Sequence, residues 1–246
     1  MKKNGKKNPM APARAFPRSA IGFRNEYLDF QRGIRVGNLQ DNQRITRILK
    51  LALEERHGES FITERFGRGV FWQWIGFVLR SNREAKPISS KASFGCAKFF
   101  LAMDIDDRLF KCGFSVERGM VRPPEGNRKI QLMPDWDWHR LLSSLKTAGV
   151  FERELRRLVC REGFAVDAGC WEDRVVFTGK TFPDGAELKK ILEDAPPASW
   201  AGFQAYYPMT EKDVRDSSGI DLIESVLAVF SEVAPAMNLC MQTRLE

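Results

Sequence analysis

The chain has 246 residues, of which 43% are hydrophobic and 29% are charged, so it is long enough to bury a sizeable core in one domain. No run of about 18 consecutive apolar residues occurs, which argues against a membrane span. The basic start MKKNGKKNPM is followed by no apolar segment, which argues against a signal peptide. We therefore expect a cytoplasmic protein with no membrane partner.

The net charge of +7 is divided unevenly along the chain. Residues 1–18 hold six basic and no acidic side chains, residues 19–130 hold 20 basic and 13 acidic, and residues 131–246 hold 13 basic and 19 acidic. The basic front half favours a face that binds DNA, RNA or another polyanion. Mutual neutralisation of the two halves within one folded body is the alternative, and both interpretations stay open.

The front third predicts an arm, a helix and a strand. Residues 1–19 are polar and lack apolar periodicity, which is typical of a disordered arm. A helix is predicted next, because four apolar residues fall on one helical face, and Gly58 is expected to end it. They are Ile45, Ile48, Leu49 and Ala52. Residues 70–80, VFWQWIGFVLR, are aromatic and β-branched and predict a strand buried on both faces.

A hairpin is predicted next. Residues 94–104 are almost all apolar, as in a central strand. Residues 109–118 alternate between two faces, which predicts a second strand. One face holds Phe110, Cys112, Phe114 and Val116, and the other holds Lys111, Ser115 and Glu117. The sequence DIDDR between the strands supplies turn residues, so we expect this hairpin to form mainly the core of a sheet.

Helices dominate the rest of the chain. Residues 134–146 predict a helix capped by Asp135, and residues 151–163, 184–197 and 217–235 predict three more. The apolar stripe of the first holds Trp138, Leu141, Leu142 and Leu145, and that of the last holds Ile223, Val226, Leu227 and Phe230. Strands are predicted at residues 173–182 and 200–209. This order predicts a single α+β domain over residues 20–243, with a mostly antiparallel sheet flanked by helices.

The cysteines do not form a metal or disulfide pattern. They stand at Cys96, Cys112, Cys160, Cys170 and Cys240, with no CxxC pair. The chain has only two histidines, which also argues against a metal site. We expect reduced, mostly buried thiols, no cofactor and no bound metal.

One nuclease-like combination is present. Asp167 with Glu187 and Lys189 has the composition of a site that holds a metal and activates a water. However, Asp184 and Glu187 have the spacing of a capping box, which explains Glu187 as the partner of a helix cap. The structural interpretation is favoured.

The turn of the predicted hairpin is acidic. Its residues Asp104, Asp106 and Asp107, with Glu117 across the hairpin, offer oxygen ligands of the kind that Mg²⁺ prefers. Aspartate is common at turns without any metal, because its side chain bonds to the local backbone. No glycine-rich phosphate loop accompanies these residues, and we do not favour an enzyme.

Basic and aromatic residues cluster around the predicted hairpin and the strand before it. The basic residues are Arg80, Arg83, Lys86, Lys91 and Lys98, and the aromatic ones are Trp72 and Trp74. Lys and Arg neutralise phosphates, and exposed rings stack on bases. The alternative places both tryptophans in the core and leaves the basic residues solvated.

The segment RSNREAKPISSKASFGCAKFFLAMDIDDRLFKCGF resembles the middle of a bacterial and fungal family, domain of unknown function 2461. Its members carry an arginine, a Lys-Pro-Lys segment that leads to Phe-Gly, and then two strands. The matching positions are Arg80, Lys86, Pro87, Lys91, Phe94 and Gly95. GKTFPDGAELKKIL, FQAYYPMTEKDV and LIESVLAVFSEVAPAMNLCM are similar to the family's last third, so the resemblance covers residues 75–243. It implies an α+β fold and no established activity.

A shorter likeness covers about fifty residues. GRGVFWQWIGFVLRS, with the hairpin that follows it, resembles the DNA-recognition module of methylation-dependent restriction systems. That likeness implies binding of modified DNA with a base extruded into an aromatic pocket.

Several functions therefore stay open. The preferred hypothesis is a non-catalytic binding domain with a basic face for nucleic acid or another polyanion. The alternatives are the DNA-recognition module, a metal-dependent nuclease or hydrolase, and a protein-interaction module that binds a partner protein or a second copy of itself.

Overall fold

The computed structural model describes residues 22–86, 95–121 and 135–246, which form nine strands and seven α-helices. The strands are Leu28–Asp29 (β1), Gly33–Arg35 (β2), Phe61–Arg68 (β3), Phe71–Leu79 (β4), Lys98–Asp104 (β5), Leu109–Arg118 (β6), Ala165–Cys170 (β7), Asp173–Phe177 (β8) and Ala201–Thr210 (β9). The helices are Ile45–His57 (α1), Arg80–Glu84 (α2), Asp137–Ser144 (α3), Val150–Arg161 (α4), Gly185–Glu193 (α5), Glu211–Asp216 (α6) and Gly219–Asn238 (α7). The predicted arm over residues 1–19 and the candidate Lys91 lie outside the described residues.

The strands form one antiparallel sheet. Its order is β1-β2-β4-β5-β6-β9-β7-β8, and β3 pairs with β4 beside this path. Within the described ranges β3 pairs with β4 alone and β8 with β7 alone, so each is an edge strand. The predicted α+β class with a mostly antiparallel sheet is confirmed.

Helices cover one face of this sheet and enclose the core. Phe99 of β5 stacks on Phe230 of α7, with ring centroids 4.7 Å apart. Phe114 of β6 and Phe151 of α4 both contact Phe203 of β9. Fully burying a side chain of this size stabilises the fold by about 1.5–3 kcal/mol. The strands therefore direct one set of alternate side chains into an apolar helix layer.

The helix predictions hold except at one cap. The apolar face predicted for α1 is buried, and Gly58 ends that helix in the left-handed region, at φ 65°. Asp184 caps α5 by accepting a hydrogen bond from the Glu187 amide. The prediction that Asp135 caps a helix is wrong, because α3 begins at Asp137 after Trp136 and has no side-chain cap.

The buried carboxylate of Asp137 has a different role. It accepts hydrogen bonds from Asn82 Nδ2 at 2.7 Å and from the amides of Ala97 and Gln242 at 2.7 and 2.9 Å. It also forms an ion pair with Lys86 at 3.1 Å. One side chain at the start of α3 thus ties together segments that are remote in the sequence.

A β-bulge in β4 separates the two tryptophans of that strand. Phe66 pairs with Trp74, but the next residue, Gly67, pairs with Trp72, so Gln73 is the extra residue. Trp72 consequently packs with the core, whereas Trp74 lies on the opposite face. The prediction of a strand buried on both faces is right for residues 75–79 and wrong at Gln73, which is exposed.

None of the helices in the described part of the chain combines the length and the apolar composition needed to cross a membrane.

Candidate ligand cavity on the open face of the sheet

The sheet face opposite the helices contains a cavity of about 1120 Å³, here called the sheet cavity. Five acidic and five basic residues line it, together with four aromatic residues; the guanidinium of one basic residue, Arg65, lies beside Trp72 on the other face. The charged residues are Glu64, Arg65, Arg83, Lys98, Asp104, Asp106, Lys111, Glu117, Asp167 and Arg174, and the rings are Phe66, Trp74, Trp171 and Trp200. Its charged lining is balanced, and half of the chain's six tryptophans lie in it.

The alternation of β5 and β6 brings these residues together. Phe99 and Phe114 are paired across the two strands on the helix side. Their neighbours Lys98 and Ser115 form the next pair, and the side-chain period of two directs this pair to the cavity side. The polar face predicted for residues 109–118 is thus confirmed, and it lines a site instead of facing open solvent.

Lys98 forms the centre of one charge network. Its ammonium lies 3.4 Å from Glu64 of edge strand β3 and 3.1 Å from Glu117 of β6, and 5.3 Å from the centre of the Trp74 ring. Burial opposes its charge, but Glu117 and Glu64 outweigh burial and raise the pKa of Lys98 above its ordinary value. Lys98 therefore stays protonated although its side chain is only 1% exposed.

A second network joins β5, β6 and β9. Lys111 Nζ donates to Asp104 Oδ2 at 2.6 Å and lies 5.0 Å from the centre of the Tyr206 ring. Burial opposes both charges of this pair. Their hydrogen bond outweighs burial, so the pKa of Lys111 is raised and that of Asp104 is lowered. Asp104 therefore stays ionised and Lys111 stays protonated, and both charges line the sheet cavity.

Asp167 of β7 behaves differently from Asp104. Burial raises the pKa of Asp167, and the charges of Arg174 and Lys111 only lessen the rise. Arg174 Nε lies 2.8 Å from Asp167 Oδ1. The cavity therefore holds two carboxyl groups with opposite pKa shifts. The lowered pKa of Asp104 favours the ionised form, which accepts hydrogen bonds, and the raised pKa of Asp167 favours the protonated form, which can donate one.

The aromatic side chains lie at the opening and on the floor of the sheet cavity. Phe66 and Trp171 line it while 60% exposed, so they mark its opening from opposite ends of the sheet. Trp74 lies over Gly76, where an added Cβ would come within 2.4 Å of the indole ring. Glycine at position 76 is what allows that ring to lie flat against the strand.

Four buried polar atoms on this face have no hydrogen-bond partner within the described residues, and two of them, Asp167 Oδ1 and Arg174 Nε, form an ion pair with each other. The other two are the Ser115 hydroxyl and Trp74 Nε1. Ser115 is completely buried, and the pairing of β6 with β5 and β9 places it between Lys98 and Gln204. Buried donors and acceptors without partners are rare in folded proteins. Trp74 lines the sheet cavity, so its Nε1 is the candidate contact for a ligand, whereas Ser115 is not among the lining residues.

The predicted nucleic-acid residues do not form one surface. Arg83, Lys98 and Trp74 line the sheet cavity. Lys86 is buried, and its ammonium is bound by Asp137 and Asn82. The others are dispersed: Arg80 is exposed beside Glu84, Trp72 lies on the helix side, and Lys91 is outside the described residues.

The nuclease-like combination is divided between the two sides of the sheet. Asp167 faces the sheet cavity, whereas Glu187 and Lys189 lie on α5 in the helix layer. Across the described ranges no group of three His, Cys, Asp or Glu residues is arranged to hold a metal ion. The acidic turn is also explained locally, since Asp104 accepts from the Asp107 amide and from Lys111.

Several residues that line the cavity are missing from the predicted binding residues. They are Glu64, Trp171, Arg174, Gln204 and Asp167, the last of which was considered only in the nuclease-like combination. The sequence contained one signal for them. Asp167 and Gln204 are polar residues inside otherwise apolar strands, and such residues need a buried partner or a ligand. The same signal marks Lys98 and Lys111.

No protein-family model, no curated protein and no solved structure matches the chain. The two resemblances drawn from the sequence therefore remain predictions.

The cysteines agree with a reduced chain. All five are free, and four of them are buried. Burial raises the pKa of Cys96 to about 11, which keeps this thiol protonated and unreactive. Four of the cysteines therefore belong to the core, and Cys160 is exposed.

Proposed function

We propose that the protein is a non-catalytic nucleic-acid-binding domain that takes an unpaired base into the sheet cavity. The observation that carries this proposal is the combination of a charge-balanced lining with four aromatic rings. A nucleobase is a planar, neutral ring with donors and acceptors along its edges. Stacking on aromatic side chains and hydrogen bonding at those edges are the usual ways of holding an extruded base.

The charge balance supports a base over a phosphate as the occupant of the cavity. Lys98 is neutralised by Glu64 and Glu117, and Lys111 by Asp104. A phosphate in this place would lie among carboxylates and would have to compete with them for both ammonium groups. A neutral ring leaves those pairs intact.

Each part of the cavity has a distinct role in this proposal. Trp171, exposed at the opening, stacks on the incoming ring, and Phe66 marks the other end of that opening. Trp74, whose Nε1 has no partner among the described residues, and Gln204 line the cavity and supply hydrogen-bonding groups. Asp167 supplies a carboxyl group that becomes a donor when protonated. The free cysteines support the cytoplasm as the proposed compartment.

Titration of nucleosides, followed by tryptophan fluorescence, tests the proposal. Saturable quenching is expected, and Trp171→Ala is expected to weaken binding by about tenfold, since stacking on an aromatic side chain contributes about 1–3 kcal/mol per base. Tyr207→Ala is the matched control, because Tyr207 is 37% exposed and contacts Phe164 on the helix side. Cytidine and 5-methylcytidine compared in the same assay test the preference for a modified base.

Two results would contradict the proposal. One is the absence of nucleoside binding at millimolar concentration. The other is tighter binding of a hexose, a polar ring without an aromatic face, than of any nucleoside.

Self-association is a second candidate, favoured by the exposed edge strand β8. Val175 and Val176 are 39% and 51% exposed on it, and an apolar edge strand is a template for pairing with another chain. Sedimentation should show a concentration-dependent mass that Val175→Lys abolishes. A constant monomer mass excludes this candidate.

A further inference from the structure

A second, smaller groove lies on the reverse side of edge strand β3. It has a volume of about 440 Å³ and is here called the edge groove. Arg44, Arg47 and Lys50 reach it from the start of α1, and Arg65 and Trp72 reach it from β3 and β4. No carboxylate is among the described residues that line it. Its lining is therefore basic, in contrast to that of the sheet cavity.

The nearby carboxylates do not neutralise this groove. Asp41, which is 70% exposed, lies 3.3 Å from Arg44 and 3.9 Å from Arg47. Glu54 lies 3.7 Å from Lys50. Two carboxylates thus face four cations, and the solvent-exposed pairs with Asp41 are weak.

Arg65 is held in a position that suits an anion. Its guanidinium lies 4.2 Å from the centre of the Trp72 ring, and it forms no ion pair with any described residue. A guanidinium held over an aromatic ring keeps its N–H groups free to donate, and such a group can bind phosphate with two hydrogen bonds. The bulge in β4 creates this contact by turning Trp72 to the helix side.

The edge groove and the sheet cavity are separated by a single strand. Thr63 and Arg65 line both of them, and Glu64 between these residues reaches Lys98 in the sheet cavity. Because β3 is an edge strand, no further described strand lies beyond it. A chain molecule can therefore pass around this edge and contact both sites.

We propose that the edge groove binds the phosphodiester backbone of the nucleic-acid strand whose base occupies the sheet cavity. The inference rests on the proposed function for its choice of ligand. Arg47, Lys50 and Arg65 contact the phosphates, and Phe66, beside Arg65 on β3, marks where the strand turns towards the cavity. The cavity then selects the base, and the groove supplies affinity that does not depend on sequence.

The test uses the full chain and the double variant Arg47→Gln with Lys50→Gln. Binding of a single-stranded oligonucleotide is measured across a salt series. Removing two phosphate contacts is expected to lower the slope of log Kd against log salt by about 1.4 and to weaken binding about tenfold at low salt. The affinity for a free nucleoside should not change.

The matched control is Arg161→Gln with Lys189→Gln. It removes the same charge from exposed positions on α4 and α5, remote from the edge groove. An unchanged salt slope in the control and a reduced one in the groove variant support the inference. Equal slopes in the wild type and both variants overturn it. Thermal unfolding of each variant verifies that the fold is retained.

An abasic oligonucleotide separates this inference from the proposed function. If nucleosides bind but the groove variant has the wild-type salt slope, the groove assignment fails and the base site survives. If nucleosides do not bind while the abasic strand binds through the groove, the base site fails and the phosphate site survives. If neither ligand binds, both proposals fail.

Discussion

The two faces of strands β5 and β6 are almost equally buried, but apolar side chains cover one face and charged side chains cover the other. On the helix side Phe99 and Phe114 are 1% and 0% exposed, and on the cavity side Lys98 and Ser115 are 2% and 0% exposed. The first face is filled by apolar helix residues, whereas the second is held by charge pairs around a large cavity. Burial alone therefore does not identify the apolar core. The neighbours of a buried side chain, apolar residues on one face and charged residues on the other, distinguish the two faces.

The largest effect is expected on the helix side. Phe99→Ala removes a ring that stacks on both Phe61 and Phe230 and should lower the free energy of unfolding by about 3–5 kcal/mol. Denaturant unfolding measures this change. A loss below about 1.5 kcal/mol would show that the helix layer repacks freely, which a close-packed core does not do.

Lys98→Met should have the next largest effect. It leaves Glu64 and Glu117 together on the cavity face without their shared cation, which is expected to destabilise the fold by about 3 kcal/mol. The matched variant adds Glu64→Gln and Glu117→Gln, and it should recover most of that loss. If the single and triple variants unfold alike, the charge network does not stabilise this face.

The pH dependence of stability should separate the two cavity carboxyl groups. Ionised Asp104 is stabilised by Lys111, and its pKa in the folded state is lowered. Its contribution is therefore present above the unfolded value of about 3.8 and is lost as pH falls. Asp167 has a raised pKa, so the folded state favours its protonated form and loses stability as pH rises above about 3.8.

Two variants measure this difference. Relative to Asp104→Asn, the wild type should lose stability on acidification. Relative to Asp167→Asn, it should lose stability as pH rises. Unfolding curves collected from pH 3 to pH 7 decide the signs, and two differences of the same sign would refute the opposite pKa shifts of these carboxyl groups.

Much of this comparison was predictable from the sequence. The alternation of residues 109–118 predicted both faces of β6, and the amphipathic periods predicted α1, α4 and α7. The cavity on the polar face was not predictable, because Glu64, Asp167 and Gln204 reach it from strands that are remote in the sequence. Sequence separation hides such contacts, since only the sheet order brings the strands together.

Two other features depended on tertiary pairing. The spacing of Trp72 and Trp74 indicates one shared face, but the bulge at Gln73 turns the two rings to opposite sides. Lys86 has the sequence context of a solvated loop cation, yet Asp137 binds it in the interior. Strand register and ion pairs between distant residues are decided by the whole fold, so local patterns do not contain them.

The smallest stability effect is expected for Ser115→Ala. The Ser115 hydroxyl is buried without a partner in the described part of the chain, so its removal should change the free energy of unfolding by no more than about 1 kcal/mol, with stabilisation the expected direction. Nucleoside binding should stay unchanged, because Ser115 is fully buried and does not line the sheet cavity. A loss of nucleoside binding would show that this face of the sheet repacks when the hydroxyl is removed.

The most direct test of the account is photocrosslinking of an oligonucleotide that carries one 5-iodouracil, followed by mass spectrometry of the digested protein. If a base enters the sheet cavity, the crosslinks will fall on peptides that contain Trp171, Trp74 or Phe66, and competing nucleoside will reduce them. A bound oligonucleotide whose crosslinks all lie outside the cavity would contradict the central claim.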